Sequence, residues 1–245
     1  MIVMPAGLKK SLLDVLFPPR CIICRSFIPR AGSIHICSDC LKTVRYIENP
    51  CCTICGEPFH GAGISHVCGS CAARMPGYDM AKAALIYDGI CRDLIHAFKY
   101  DYKTHLRHTL ANLAVEAFEQ FVEECCPDVV VPVPLCKRRL VQRGFNQAVL
   151  LAELLAGRRK IPLERQAMRR TRWTEPQIKL DAEQRRMNVE GAFAVLKPGS
   201  ITDKRILLLD DVLTTGSTAD ECARVLKKSG AVSVDVFTLA RAVTA

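Results

Sequence analysis

Ile206-Leu207-Leu208-Leu209-Asp210-Asp211-Val212-Leu213-Thr214-Thr215-Gly216-Ser217-Thr218 is the stretch that decides the fold. Its aliphatic run shows no alternation, the pattern of a parallel strand buried on both faces. Two carboxylates follow where that strand is expected to end. Hydroxyls then surround a glycine, and a helix opens with Ala219, Cys222, Ala223 and Leu226 at i, i+3, i+4, i+7 spacing. Lys227 and Lys228 in its last turn and Gly230 just beyond are ordinary stop signals. Ligands of open α/β sheets bind beyond the carboxyl ends of the strands. A hydroxyl-rich loop entering a helix N-terminus offers free N–H groups and a positive dipole end to a phosphate. Gly216 lets the backbone come close to that phosphate. Asp210 and Asp211 suit acceptors for sugar hydroxyls, or for hydroxyls shared with Mg²⁺. Together these describe a ribose 5-phosphate site. The plainer alternative is a strand–loop–helix with an exposed acidic turn.

The segment resembles the 5-phosphoribosyl diphosphate (PRPP) signature of type I phosphoribosyltransferases: an aliphatic run, two acids, two variable residues, then Thr-Thr-Gly-x-Thr. The resemblance implies that Asp210 and Asp211 hold the ribose hydroxyls and serve as the catalytic acids. It also implies that Thr214, Thr215, Gly216, Ser217 and Thr218 hold the 5′-phosphate. Enzymes acting on 6-oxopurines carry a third acid where this chain has Thr214, so no purine-protonating role is expected there.

Toward the N-terminus the cysteines are in register. Cys21-x2-Cys24 precedes Cys37-x2-Cys40, Cys52-x2-Cys55 precedes Cys68-x2-Cys71, and all four recur at an offset of 31. Ile23 with Ile54 and His35 with His66 share the offset, which favours Cys52 over Cys51 as a ligand. Each CxxC turn aims two sulfurs at one point, and two turns complete the tetrahedral thiolate site that Zn²⁺ prefers. Two closed, structural zinc sites are expected. Four cysteines already fill each site, so the histidines are read as lying outside the ligand sets. Metal binding supplies folding free energy that so small a module lacks, on the order of 10 kcal/mol per site.

At 245 residues the chain can bury a sizeable core in one or two domains. No apolar stretch is long enough to span a membrane. Met1 to Arg20 reads as a short docking helix rather than a signal peptide. Fourteen cysteines without a secretory signal argue against disulfides and for metal in a reducing cytoplasm. The net charge of +9 is concentrated in residues 137–186, where fourteen Lys or Arg face five Asp or Glu. Such a segment suits an anionic ligand or nucleic acid, or is a solvated basic face.

Between these ends, Ala81 to Tyr87 and Val129 to Pro134 read as strands, Cys91 to Tyr100 and Thr109 to Glu124 as helices. An Ala/Leu-rich helix ending near Gly157 and a strand near Leu163 to Met168 follow. The segment from Arg172 to Phe193, rich in polar groups and holding Trp173, reads as a lid. Trp173 either stacks on a base or is simply packed.

The whole order now resembles the competence protein F (ComF) family: paired knuckles, Phe98-Lys99-Tyr100, Val131-Pro132-Val133-Pro134-Leu135, Arg143-Gly144-Phe145-Asn146-Gln147, Thr174-x2-Gln177, Arg185-x2-Asn188-Val189-x-Gly191-Ala192-Phe193, the PRPP signature and Leu239-Ala240-Arg241. The resemblance implies a double zinc ribbon over 1–80 and a Rossmann-like parallel sheet of the type I phosphoribosyltransferase kind over 81–245. It further implies binding of Mg²⁺–PRPP and of single-stranded DNA, and a part in DNA uptake. The turn Pro134 to Arg139 takes the place of the family's pyrophosphate loop, which makes Lys137 and Arg138 the candidate diphosphate ligands, with a surface basic turn as the alternative. Cys136 stands there instead of a polar residue. Turnover, transferring ribose 5-phosphate to an acceptor, is the competing enzymatic reading.

Overall fold

Buried on both sides, Ile206 to Leu209 form the middle of the sheet. A computed structural model of the chain describes residues 18–29, 34–59, 61, 63–173 and 182–243. Four parallel strands, β1 (Ala81–Ile86), β2 (Val129–Pro132), β5 (Arg205–Leu213) and β6 (Ser233–Arg241), lie in the order β1-β6-β5-β2. Parallel neighbours require crossovers, and helices supply them. On one face pack α3 (Gly89–Tyr100), α4 (Leu106–Cys125) and α6 (Gln147–Arg159), against Leu207, Leu209, Phe237 and Leu239. On the other, α8 (Ser217–Lys228) covers Ile206, Leu208, Val234 and Val236. Period-2 alternation therefore sorts one uniformly apolar run into two cores. A two-stranded antiparallel flap, β3 (Met168–Arg170) with β4 (Phe193–Val195), joins the second core, and α7 (Ala182–Val189) lies between its strands in sequence.

Three expectations need correction. The central strand does not stop before its acids: β5 runs on to Leu213, because Asp210 pairs with Thr238 and Leu213 with Arg241 along the equally long β6. The strand expected near Leu163 to Met168 is a single parallel bridge, Leu163 to Val130, and the real strand starts at Met168, where β4 offers a partner. The turn after β2 gives way at once to a helix, α5 (Lys137–Arg143), with Cys136 as its N-cap and Gly144 at φ 76° ending it. The docking helix read at the N-terminus and residues 174–181 of the lid lie outside the described residues.

The 31-residue repeat in sequence is also a repeat in hydrogen bonds. Cys21 N–H donates to Ser26 O and Cys52 N–H to Glu57 O, both at 2.8 Å; Ile22 donates to His35 O as Thr53 does to His66 O. Arg25 (φ 65°) and Gly56 (φ 70°) take the same left-handed turn. The short helices α1 (Ser38–Leu41) and α2 (Gly69–Ala73) close the two units. The units then part company. Cys21, Ile36 and Val44 belong to the core under α4, whereas Cys52, Cys55 and Cys71 belong to the core under α8. Tyr46 bridges to Leu85 between them, so the connecting segment caps the β1 edge. The ribbons straddle the sheet. Among the described residues no helix is long and apolar enough to cross a membrane.

Candidate functional site

A cavity of about 450 Å³ opens at the carboxyl end of β5, where the sheet rule places ligands. Its floor is Asp210, Asp211, Thr214, Gly216, Ser217 and Thr218. Gly216, at φ 76°, is the N-cap of α8, so the first N–H groups of that helix turn toward the opening. Thr215 Oγ1 and Ser217 Oγ lie 2.9 Å apart and tie the loop together. Its walls carry Lys99, Arg139, Arg143, Arg170 and Arg185. Four arginines above a phosphate-type turn and two acids fit a polyanionic sugar phosphate, while Lys99 stands against one of the acids.

The two acids live differently. Asp211 is buried, 3% exposed, and Lys99 Nζ lies 2.5 Å from its Oδ2. Burial pulls the Lys99 ammonium's pKa down, but the Asp211 carboxylate against it wins and holds it above the ordinary lysine value. Asp210 is partly exposed, and its Oδ1 accepts the Asp211 N–H at 2.8 Å. Burial first, and the neighbouring Asp211 charge second, push the Asp210 carboxyl up to about 8.

Of the residues singled out by sequence, the structure brings Asp210, Asp211, Thr214, Gly216, Ser217 and Thr218 to this cavity, while Thr215 lines its neighbour. Lys137 and Arg138 do not line either one: both are exposed on α5, and Arg138 lies 5.4 Å from the Trp173 ring centre. Arg139 and Arg143, four residues apart on the same helix, turn inward instead. Arg143 donates to Gln147 Oε1 at 2.5 Å and packs 5.2 Å from the Tyr100 ring centre. Reading 137–143 as a helix would have picked out that Arg-x3-Arg face. Lys99 and Arg185 are quoted in the family motifs, but nothing in their spacing ties them to the acids.

The eight predicted cysteines form two sets, Cys21, Cys24, Cys37, Cys40 and Cys52, Cys55, Cys68, Cys71, each with its sulfurs within 4.8 Å of one another. Cys51 is bonded elsewhere, to Glu48 O at 3.1 Å. Burial would raise the Cys52 thiol, but the N–H groups of Cys55 (3.4 Å) and Cys68 (3.3 Å) on its Sγ bring it down to about 6. Backbone donors aimed at sulfur are what a metal-bound thiolate needs.

A second cavity, of about 760 Å³, separates the second ribbon from the phosphate-type loop and shares Thr214, Gly216 and Ser217 with the first. Arg241, from the end of β6, spans the junction: it pairs with Glu57 and donates to Cys55 O at 2.7 Å. Asp220 in the first turn of α8 accepts the Gly77 N–H at 2.5 Å, and a Cβ on Gly216 would meet the Tyr78 hydroxyl at 3.3 Å. The ribbon is thus built onto the loop's back.

Over 153 residues the chain is 36% identical to Competence protein F of Haemophilus influenzae, covering 61% of this chain and 67% of that protein. The chain belongs to the competence protein F family. Other relatives are DNA utilization protein YhgH of Escherichia coli K12, 35% identical over 60% of this chain and 66% of its own length, and Competence protein ComFC of Streptococcus pneumoniae, 29% identical over 65% and 67%. The aligned part spans about two thirds of each of these ComF-family proteins. A family model described as a double zinc ribbon domain matches residues 12–74, which contain all eight clustered cysteines.

Proposed function

We propose that this ComF-family member binds Mg²⁺–PRPP at the mouth of β5 and acts in DNA uptake or utilisation, in the cytoplasm, with two structural Zn²⁺ ions in its ribbons. The division into a ribbon module (1–80) and a phosphoribosyltransferase-like module (81–245) belongs to the same reading. One observation carries it: a left-handed glycine capping α8 directly after two acids, under a roof of cations. The 5′-phosphate would lie on the Thr214–Thr218 loop, the ribose hydroxyls on Asp210 and Asp211, and the diphosphate among Arg139, Arg143 and Arg170. Mg²⁺ would neutralise diphosphate charge when bound. These residues bind and orient the donor; the chain's two acids also suit the stabilisation of positive charge developing at the anomeric carbon. The DNA part rests on the family names and on the basic face of 137–173, where exposed Trp173 and Arg138 offer a stacking surface beside cations.

Calorimetry with PRPP and Mg²⁺ tests the binding reading, and its absence in wild type would reject it. Release of diphosphate from PRPP with candidate acceptors, with and without single-stranded DNA, separates a binding protein from an active transferase.

A further inference from the structure

Lys99 belongs to the last turn of α3, not to the loop that would cradle a phosphate, yet its ammonium sits directly on an acid of the cavity floor. The two side chains are 17% and 5% exposed, so the pair is largely withdrawn from water. Desolvating two charges is repaid only by close mutual contact, and an apolar pair of the same volume would stabilise the fold as well. Fold stability alone therefore gives little reason for this pair. Its geometry offers another. Asp211 Oδ2, the oxygen against Lys99, is fully buried, which fixes the plane of the carboxylate. Asp210 lines the same cavity but, when ionised, carries a like charge that repels the Asp211 carboxylate, so it is no brace for it. The brace comes from α3, whose Leu94, Ile95 and Phe98 anchor it in the core beneath.

We propose, resting on the PRPP reading of the cavity, that Lys99 is a positioning residue: it locks Asp211 so that the carboxylate's other oxygen accepts a ribose hydroxyl, and it does not hold the ligand's phosphates. A cation that served the diphosphate directly, as assigned to Arg139 and Arg143, would behave differently in two measurable ways.

The experiment measures binding of Mg²⁺–PRPP and, separately, of Mg²⁺ with inorganic diphosphate to wild type, Lys99→Met, Asp211→Asn and the double variant, with a melting curve for each. Expected for Lys99→Met is a ten-fold or greater loss for PRPP and less than a two-fold change for diphosphate, which has no ribose. The double variant should bind PRPP no more weakly than Asp211→Asn alone, because the two residues act as one unit. A parallel fall in diphosphate affinity, losses that multiply in the double variant, or unchanged PRPP affinity in Lys99→Met would each overturn the proposal. If Lys99→Met does not fold, Asp211→Asn against the charge-neutral double variant decides alone: equal PRPP affinity supports positioning, a further ten-fold loss refutes it. Wild type that fails to bind PRPP would reject the cavity reading itself, a result visible before any variant is made.

Discussion

Buried acids give the most direct tests at the scale of single residues. Asp235 is 4% exposed in the middle of the sheet, with Oδ1 lacking a hydrogen-bond partner among the described residues. Burial, then the nearby Asp79 charge, push its carboxyl up to about 6. A raised folded-state pKa favours the fold below the unfolded value near 4 and loses that contribution as pH climbs through 6. Asp235→Asn should therefore melt higher than wild type above pH 6, by at most about 3 kcal/mol, with the gap closing near pH 4. An Asn variant less stable at pH 8 than wild type would contradict this. The acid pair of the cavity splits in the same way. Sequence alone places Asp210 and Asp211 together at a solvent-facing mouth, where amides replace both without burying an unpaired charge. The structure corrects this for Asp211, which is buried against Lys99. At pH 7 Asp210→Asn, which resembles the already protonated acid, should melt at or above wild type. Asp211→Asn strands a buried ammonium and should lose about 3 kcal/mol, most of it recovered by adding Lys99→Met.

Among elements, the strand–loop–helix of 205–228 was legible because burial on both faces leaves an unbroken aliphatic run and the helix keeps its apolar spacing. The cysteine pairs were legible because metal geometry fixes their spacing in the chain itself. Helix α5 was not: Lys137-Arg138-Arg139 has no apolar period, Cys136 makes no side-chain cap bond at its start, and only Gly144 marks its end. That one miss moved the expected diphosphate ligands to the outer face. Lys99 was illegible for another reason, since only the tertiary fold carries α3 to the end of β5. The loop's own demands are local. Gly216→Val would place a β-branched residue at φ 76° with its Cβ near the Tyr78 hydroxyl. It should abolish PRPP binding and lower stability by about 1–2 kcal/mol; calorimetry beside a melting curve checks both. The ribbons should also differ. Cys52→Ser should lose one metal ion and weaken PRPP binding, because Arg241 and Asp220 tie that ribbon to the loop. Cys24→Ser should lose one metal and leave PRPP binding within about two-fold, a contrast read by metal analysis and calorimetry. Equal effects would break the link between second ribbon and loop.

At the scale of the molecule, two copies of one small unit grip opposite faces of one sheet, and that sheet depends on β6. Among the described strands β1 has β6 as its one neighbour, and β6 also carries eight pairs to β5. A chain ending at Val232 should therefore lose cooperative melting yet still load metal on its eight thiolates, as circular dichroism and metal analysis would reveal. Strand order also sets a timetable on the ribosome. The ribbons and β1 emerge first, but the strand that completes their platform is translated roughly 150 residues later, on the order of ten seconds or more at ordinary elongation rates. For that interval the nascent chain holds both knuckles, their apolar undersides and a β1 whose β6 edge is still open. Early capture of metal would give the newborn N-terminus protection from misfolding and thiol oxidation over that interval. If so, zinc starvation during synthesis should cut the amount of protein a cell accumulates more than the same starvation imposed after synthesis, a contrast that pulse labelling would read.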